Sequence, residues 1–275
     1  MKILFLGGGN MASALIGGMC ERGFGAGNIT VIEPDASARE RLQSNYGLVA
    51  LTCPDAGVFG SDVLVLAVKP QQMKAALAAF AGALQEKTLV ISVAAGLRLV
   101  DIGRWLGGSG VPHSKLVRCM PNTPALVGAG VTGMFAAPEV DAAGRELAER
   151  ILAAVGSVVW VDAEEQLDAV TGISGSGPAY VFHFIEALEA AGLGQGLHPE
   201  SARCLAIGTV LGAARLAEAS KDAPSTLREK VTSKGGTTAA ALAHLAATGW
   251  HDALVGAVDA ACARSRELGE QLGQG

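Results

Sequence analysis

A glycine-rich loop follows the first apolar run of the sequence, Ile3–Leu6, and precedes a helical pattern. It reads Gly7-Gly8-Gly9-Asn10-Met11-Ala12 and has the spacing G-x-G-x-x-A. In such a loop Gly7 permits a tight turn, Gly9 lets the backbone approach a pyrophosphate, and Ala12 allows close packing of helix on strand. Free N–H groups and the positive dipole end of the helix attract phosphates. The six residues are therefore predicted to bind a dinucleotide.

Glu33 ends the second predicted strand, where an acidic side chain binds the ribose hydroxyls of NAD. A carboxylate at this place disfavours the 2′-phosphate of NADP, but Arg39 and Arg41 are close enough in sequence to offset that effect. The alternative is that Glu33 merely caps a strand end. The preference between NADH and NADPH therefore stays open.

Two further strand ends are predicted to contact the cofactor, because ligands of doubly wound sheets lie outside the carboxyl ends of the strands. Small residues and a proline there let a nicotinamide and its ribose lie against backbone. The solvated side chain of a loop lysine is an equally good interpretation of Lys69. The two segments consist of Ala67, Val68, Lys69 and Pro70 after the fourth strand, and Ala94, Ala95 and Gly96 after the fifth.

A second glycine-rich turn, Gly235-Gly236-Thr237-Thr238, precedes the helical pattern Ala239–Leu245. Successive N–H groups in such a turn at a helix start form a cradle for an anion. The alternative is that Ser233–Thr238 serves only as a helix N-cap. The residues alone leave both interpretations open.

The first 160 or so residues alternate between short apolar strands and helical stretches. Solid apolar runs are typical of strands covered on both faces, and the alternation predicts a parallel sheet with right-handed crossovers. The expected strands are Ile3–Leu6, Ile29–Glu33, Val49–Thr52, Val63–Val68, Leu89–Val93 and Leu116–Met120, with Val131–Phe135 and Val158–Val161 as further candidates.

The pattern becomes helical after Asp162, so a dinucleotide-binding domain is predicted over residues 1–162 and a helical domain over 163–275. Glu164 and Glu165 are expected to favour a helix start through the helix dipole. The segment Ser201–Ala219 is apolar or small nearly all round, which predicts a buried helix, most easily at a subunit interface. The expected helices are 164–173, 179–192, 199–219, 225–232, 237–247 and 251–271.

Composition narrows the class of protein. The 275 residues suit two domains, and a net charge of −5 without a basic stripe argues against a nucleic-acid partner. Five scattered cysteines and five histidines show no metal-ligand spacing, which fits a reducing cytosol without disulfides or zinc. The apolar run before Gly7 is shorter than a signal peptide needs, and no run reaches the ~18 residues of a membrane span. A cytoplasmic protein without a membrane partner is expected.

Four ordered segments, together with the glycine loop, resemble the pyrroline-5-carboxylate reductases. The resemblance runs from Ile3 to about Leu268, and its most specific part is the Ser-x-Gly-Gly-x-Thr segment that begins at Ser233. The four segments are Val68-Lys69-Pro70-Gln71, Arg118-Cys119-Met120-Pro121-Asn122-Thr123-Pro124, Gly175-Ser176-Gly177-Pro178-Ala179-Tyr180 and Val231-Thr232-Ser233-Lys234-Gly235-Gly236-Thr237-Thr238.

The resemblance implies an α/β protein with an N-terminal Rossmann-type doubly wound sheet followed by an all-helical C-terminal dimerisation domain. It implies NADPH- or NADH-dependent reduction of 1-pyrroline-5-carboxylate to L-proline, by hydride transfer to a cyclic imine. The active site would lie between the domains and be completed by the dimer. The chain would act as a homodimer or a ring of dimers.

The resemblance also implies roles for single residues. Asn122 would lie near the nicotinamide, and Thr238 is the candidate catalytic residue because its hydroxyl would hydrogen-bond the ring nitrogen of the substrate. Lys234 and Lys230 depart from the family pattern, so no contact is transferred from those positions. The residues expected to bind the substrate are Ser233, Gly235, Gly236, Thr237 and Thr238.

Two other functions compete with this one. A beta-hydroxyacid dehydrogenase has a similar glycine pattern over Gly172–Gly177 but needs a lysine four residues later, where Val181 stands. A non-catalytic nucleotide-binding regulator would keep the first glycine loop but has no use for the segment at Ser233. The glycines of 172–177 themselves fit close helix packing as well as ligand contact.

Overall fold

The computed structural model of the protein describes residues 1–108 and 110–273. The chain forms two compact units, here called the sheet unit, residues 1–176 with the chain from Ala260 onward, and the helical unit, residues 177–259. These units are defined by packing and do not show which part of the chain binds the cofactor or the substrate. The predicted domain boundary near residue 162 therefore stays a prediction.

Over residues 1–108 and 110–273, the sheet has eight strands in the order β3-β2-β1-β4-β5-β6-β7-β8. The order reverses direction at β1, which is the switch point of a doubly wound sheet. Each strand lies where the sequence predicts it, with ends that differ by no more than two residues. The strands are β1 Ile3–Leu6, β2 Ile29–Ile32, β3 Val49–Leu51, β4 Val63–Leu66, β5 Leu89–Ser92, β6 Leu116–Met120, β7 Gly130–Ala136 and β8 Gly156–Trp160.

The expectation of a wholly parallel sheet is wrong at one pair. β7 runs antiparallel to β6, with Cys119 opposite Met134, whereas β7 and β8 are parallel again. The link between β6 and β7 contains only a short 3₁₀ turn, Thr123–Val127. A parallel connection needs a crossover of a dozen or more residues, so this link returns the chain in the opposite direction.

Both faces of the sheet are covered, as the solid apolar runs predict. Successive side chains of a strand point to opposite faces, and in β1 both Leu4 and Phe5 have no exposed surface. Leu4 packs in one hydrophobic cluster with Leu66 and Phe80, and Phe5 packs in the other. The resulting two-sided core fixes the strand ends that carry the predicted site.

The helices of the sheet unit lie on these two faces. α6 continues into a single π-helical turn, Thr171–Gly175, in which the Ser176 amide donates to the Thr171 carbonyl oxygen at 2.8 Å. A Cβ atom on Gly175 would lie 2.7 Å from Met120 Cε, so this turn packs closely on the end of β6. The helices are α1 Asn10–Glu21, α2 Ala36–Tyr46, α3 Met73–Leu77, α4 Leu99–Leu106, α5 Ala142–Leu152 and α6 Gln166–Val170.

The remaining helices begin within two residues of their predicted starts. The single chain leaves most of Ser201–Ala219 uncovered: in α8 only Ala202 and Ala206 are buried, and Leu205 is 58% exposed. The burial of this helix at a subunit interface therefore stays a prediction. The other apolar side chains of this helix therefore need a further partner to leave water. The helices are α7 Gly177–Gly194, α8 Pro199–Ala219, α9 Pro224–Lys230, α10 Thr237–Ala247 and α11 Trp250–Gly273.

The C-terminal half of α11 belongs to the sheet unit. Ser265 Oγ donates to Asp168 Oδ1 at 2.6 Å, and both residues are buried. Further along, Gly269 lies against Gly96, at the end of the segment that follows β5. The chain thus leaves the sheet unit after Ser176 and returns to it at Ala260.

Candidate functional site

The glycine loop at the end of β1 has the geometry that a dinucleotide requires. Gly7 has φ +101°, and a Cβ there would lie 2.7 Å from the Ala67 carbonyl oxygen, so only glycine fits. A Cβ on Gly9 would meet nothing within 4 Å, which leaves this backbone open to a ligand. α1 begins at Asn10 without a side-chain cap. Its first N–H groups are therefore available to the phosphates.

Glu33 lies directly beside this loop. Its Oε2 accepts a hydrogen bond from the Gly8 amide at 2.7 Å, and its Oε1 accepts one from the Asp35 amide at 2.9 Å. The carboxylate therefore points back to the glycine loop, where a ribose would bind. Arg39 Nη1 donates to the carbonyl oxygens of Glu33 and Pro34 at 2.8 and 2.7 Å. The guanidinium of Arg39 is therefore a positive charge at the same strand end. Arg41 is exposed.

The segments after β4 and β5 lie beside the glycine loop along one edge of the sheet. The Ala67 amide donates to the Leu6 carbonyl oxygen at 2.8 Å, and the Val93 amide donates to the Leu66 carbonyl oxygen at 3.1 Å. Lys69 and Ala95 are exposed on this edge. The structure therefore brings together the cofactor segments that the sequence predicts at 7–12, 67–70 and 94–96.

Asn122 follows β6 and is 8% exposed. Its Nδ2 donates to the Ser174 carbonyl oxygen at 3.0 Å, and its Oδ1 accepts from the Val131 amide at 2.9 Å. Both ends of the amide are engaged by backbone, so Asn122 ties the end of β6 to β7 and to the π-helical turn. Its proximity to a nicotinamide stays a prediction.

Glu164 and Glu165 directly precede α6, which begins at Gln166 without a side-chain cap, so their expected dipole effect on the helix start stays a prediction. Glu164 Oε1 accepts from the Leu99 amide at 2.8 Å and from Arg118 Nη1 at 3.0 Å. The two charged side chains are only 17% and 6% exposed. The one signal for this pair was an arginine within an otherwise apolar strand.

The predicted substrate loop, Ser233–Thr238, lies in the helical unit. The Gly236 amide donates to the Ser233 carbonyl oxygen at 3.0 Å, and Gly235 has φ +73°. α10 begins at Thr237, and no side chain caps it, so its first N–H groups are available to an anion. Within the described chain the Thr238 hydroxyl has no hydrogen bond. Gly236 is the N-cap residue of α10, so Ser233–Thr238 does start this helix, and its role in substrate binding stays a prediction.

The start of α7 lacks the lysine that a beta-hydroxyacid dehydrogenase needs. Val181, at the position where such an enzyme needs lysine, is 43% exposed and carries no group that moves a proton. Nearby, the hydroxyl oxygen of Tyr180 is buried without a hydrogen-bond partner among the described residues. The sequence indicated only a packing role for Tyr180.

The described residues offer few groups for metal, thiol or histidine chemistry. Within residues 1–108 and 110–273, no group of three or more His, Cys, Asp or Glu side chains is placed to hold a metal. All five cysteines are free thiols, and burial raises the pKa of the Cys119 thiol, which keeps it protonated. Burial also lowers the pKa of His113, whose Nε2 lies 2.8 Å from the Thr88 carbonyl oxygen. No helix in the described ranges has the length and apolarity to cross a membrane.

Two known domain families match parts of this chain. Residues 164–268 match the family described as pyrroline-5-carboxylate reductase dimerisation. Residues 2–96 match the family described as NADP oxidoreductase, coenzyme F420-dependent.

Individual proteins are similar over nearly the whole chain. A pyrroline-5-carboxylate reductase of Pseudomonas aeruginosa is 44% identical over 99% of this chain and 98% of its own length. One from Synechocystis is 42% identical over 98% and 99% of the two chains. The solved structure of a Coxiella burnetii pyrroline-5-carboxylate reductase superposes with a TM-score of 0.90 at 40% identity, covering 97% of this chain and 98% of the other. A Plasmodium falciparum pyrroline carboxylate reductase, solved with NADP bound, gives 0.83 at 30% identity, covering 98% of both chains.

Proposed function

Because the chain belongs to the pyrroline-5-carboxylate reductase family, we propose that it reduces 1-pyrroline-5-carboxylate to L-proline, the last step of proline biosynthesis, with NADPH or NADH. The observation that carries this proposal is a pair of uncapped, glycine-lined helix starts. One, at Gly7–Ala12, suits a pyrophosphate, and the other, at Ser233–Thr238, suits a carboxylate.

The cofactor is held by the sheet unit. The backbone of Gly7–Ala12 binds the pyrophosphate, Glu33 binds the ribose hydroxyls, and Asn122 holds the end of β6 beside the nicotinamide. The strand-end segments 67–70 and 94–96 line the nicotinamide and its ribose with small residues. When bound, the reduced nicotinamide supplies a hydride, so the protein chiefly supplies orientation.

The substrate is held by the loop Ser233–Thr238. The amides of this loop bind the carboxylate, and the free Thr238 hydroxyl hydrogen-bonds the ring nitrogen. During reduction of the protonated imine, the imine carbon gains the hydride and the C=N π pair moves to the nitrogen, which keeps its proton and becomes a secondary amine. A hydrogen bond to that nitrogen is strongest where its charge changes, so Thr238 is the residue proposed to act in catalysis. A protonated imine is already electrophilic and needs no stronger acid.

The same premise extends to assembly and location. Residues 1–162 form the dinucleotide-binding domain and 163–275 the substrate and dimerisation domain of a homodimer, or of a ring of dimers. The exposed apolar side chains of α8 support a self-association of this kind. A cytoplasmic enzyme without nucleic-acid or membrane partners fits the negative charge and the free thiols.

The test is an assay of the purified chain with NADPH or NADH and the cyclic imine, followed at the absorbance of the reduced nicotinamide, with proline measured as product. Oxidation of hydroxyacids with NADP or NAD is measured in parallel. We expect turnover with the imine alone. Folded protein that consumes neither cofactor with the imine, or that oxidises a hydroxyacid instead, would overturn the proposal.

A further inference from the structure

We infer that the C-terminal end of α11 is a positioning element for the cofactor, acting through the backbone turn at Gly96. The inference rests on the proposed function, because it needs segment 94–96 to contact the dinucleotide. It adds residues that none of the cofactor motifs includes: Gly269 and Leu272. The match to the dimerisation family ends at residue 268, just before them.

The first observation is a backbone-to-backbone contact between two glycines. A Cβ on Gly269 would lie 2.9 Å from the Gly96 carbonyl oxygen, a distance that requires something to shift. Gly96 is itself buried and has φ +80°, a conformation that side chains other than glycine rarely adopt. Neither partner can therefore gain a side chain without moving the turn.

The second observation is that this helix end is fixed from several sides. Ser265 is bonded to the buried Asp168 carboxylate one turn earlier. Leu272 packs against the hydrophobic cluster that includes Ala94 and Leu97, on either side of the turn. The last described carbonyl oxygen, of Gly273, accepts from Arg104 Nη2 at 3.1 Å. A rigid helix end transmits its position to what it touches.

The third observation is the two-sided character of the turn. Gly96 faces α11, whereas Ala95 beside it is exposed at the edge of the sheet where the predicted cofactor segments meet. A shift of the Gly96 backbone therefore displaces Ala95 on the ligand side. Gly269 and Leu272 are positioning residues in this sense, since they act on the cofactor only through the turn.

The experiment compares two identical changes in one helix, Gly269→Ala and Gly256→Ala. A Cβ on Gly256 would meet nothing within 4 Å, so this variant controls for the effect of alanine on the helix. The dissociation constants of NADPH and NADH are measured by nicotinamide fluorescence without imine, with light scattering to confirm unchanged assembly. We expect Gly269→Ala to raise the Kd of both dinucleotides about three- to tenfold, which corresponds to about 0.6–1.4 kcal/mol. Gly256→Ala should bind as the unchanged chain does.

A Kd for Gly269→Ala within twofold of the unchanged chain overturns the inference, even if the melting temperature falls, because the contact would then be structural only. Equal losses in both variants overturn it as well. If Gly269→Ala does not fold, Leu272→Ala is judged by the same criteria. An unchanged chain that binds neither dinucleotide sinks the proposed function itself, whereas a normal Kd for the unchanged chain and for Gly269→Ala sinks only the positioning role.

Discussion

The sheet unit and the helical unit differ in where their apolar side chains go. In the sheet unit every residue of strands β1, β4 and β5 is buried by the same chain. In α7, α9 and α10 of the helical unit no residue is buried, and Phe182 is 60% exposed. The first unit has its core within one chain, whereas the second presents apolar surface that matches the proposed dimer. Stability, binding and assembly should therefore respond differently to changes in the two units.

The largest effect is expected from the core of the sheet unit. Leu64→Ala removes a fully buried side chain of β4 and should lower the free energy of unfolding by about 2–5 kcal/mol, because a cavity remains. Denaturant unfolding at two protein concentrations measures it, and the loss should be the same at both. A loss that depends on concentration would mean that this core, too, is completed by another copy.

Thr238→Val should separate catalysis from cofactor binding. Removing the hydroxyl loses a hydrogen bond to the charged ring nitrogen of the protonated imine, worth roughly 1.5–3 kcal/mol, or about ten- to over a hundredfold in kcat/KM. The Kd of NADPH and the melting temperature should barely change, since no side chain caps α10. The matched control is Thr248→Val, whose hydroxyl bonds the Leu245 carbonyl oxygen. Intact kcat/KM in the Thr238 variant would leave Ser233 or Thr237 as the partner of the nitrogen.

A change on the exposed face of α8 should affect assembly alone. Leu205→Ser weakens the proposed dimer by roughly 1–2 kcal/mol per protomer if Leu205 is buried between copies. The control is Leu126→Ser, because Leu126 is 56% exposed, close to the 58% of Leu205, but lies in the sheet unit. Sedimentation across a range of concentrations measures dissociation. Equal behaviour of the two variants, or a stable active monomer of the unchanged chain, contradicts an interface at α8.

The smallest effect concerns the choice of cofactor. Glu33→Ser removes the carboxylate beside the glycine loop and should raise the NADPH-to-NADH ratio of kcat/KM about three- to tenfold, up to about 1.4 kcal/mol. Arg39 remains at the same strand end to meet the 2′-phosphate. Glu40→Ser, an exposed change on α2, is the control. A ratio that does not move would show that Glu33 does not face the ribose.

The sequence predicts the positions of helices, strands and the glycine loop well. It predicts poorly which elements and side chains contact each other in space. Helix and strand positions follow from hydrophobic period, and the glycine loop follows from the spacing of Gly7, Gly9 and Ala12. The direction of β7 does not follow, since period 2 is the same in parallel and antiparallel strands. The carboxylate partners of Arg118 and Ser265 do not follow either, because those contacts join residues far apart along the chain.

Helix α8 is a second case in which the sequence does not reveal the contact partner. Its pattern from Ser201 to Ala219 correctly indicates a helix and predicts that this helix is buried, yet it does not state which molecule covers it. In the single chain, Ala202 and Ala206 are the buried residues of α8. Among the candidate site residues, the loops at Gly7 and Ser233 could be predicted because glycine at a helix start has a direct physical reason. The contact of Gly269 with Gly96 could not, since a lone glycine in a helix has several explanations.

The return of the chain to the sheet unit at Ala260 has a consequence for synthesis on the ribosome. The sheet strands and their first helices emerge early, but Gly96 and the Asp168 carboxylate await partners from the end of α11. Between Ser176 and Ala260 the whole helical unit must be translated, which takes on the order of ten seconds at about 5–20 residues per second. During that interval the nascent sheet unit is incomplete. The Asp168 carboxylate, which is buried in the folded chain, is still in water. We expect a nascent chain stalled before Ser265 to be cut by protease near Gly96, and the released full-length chain to resist.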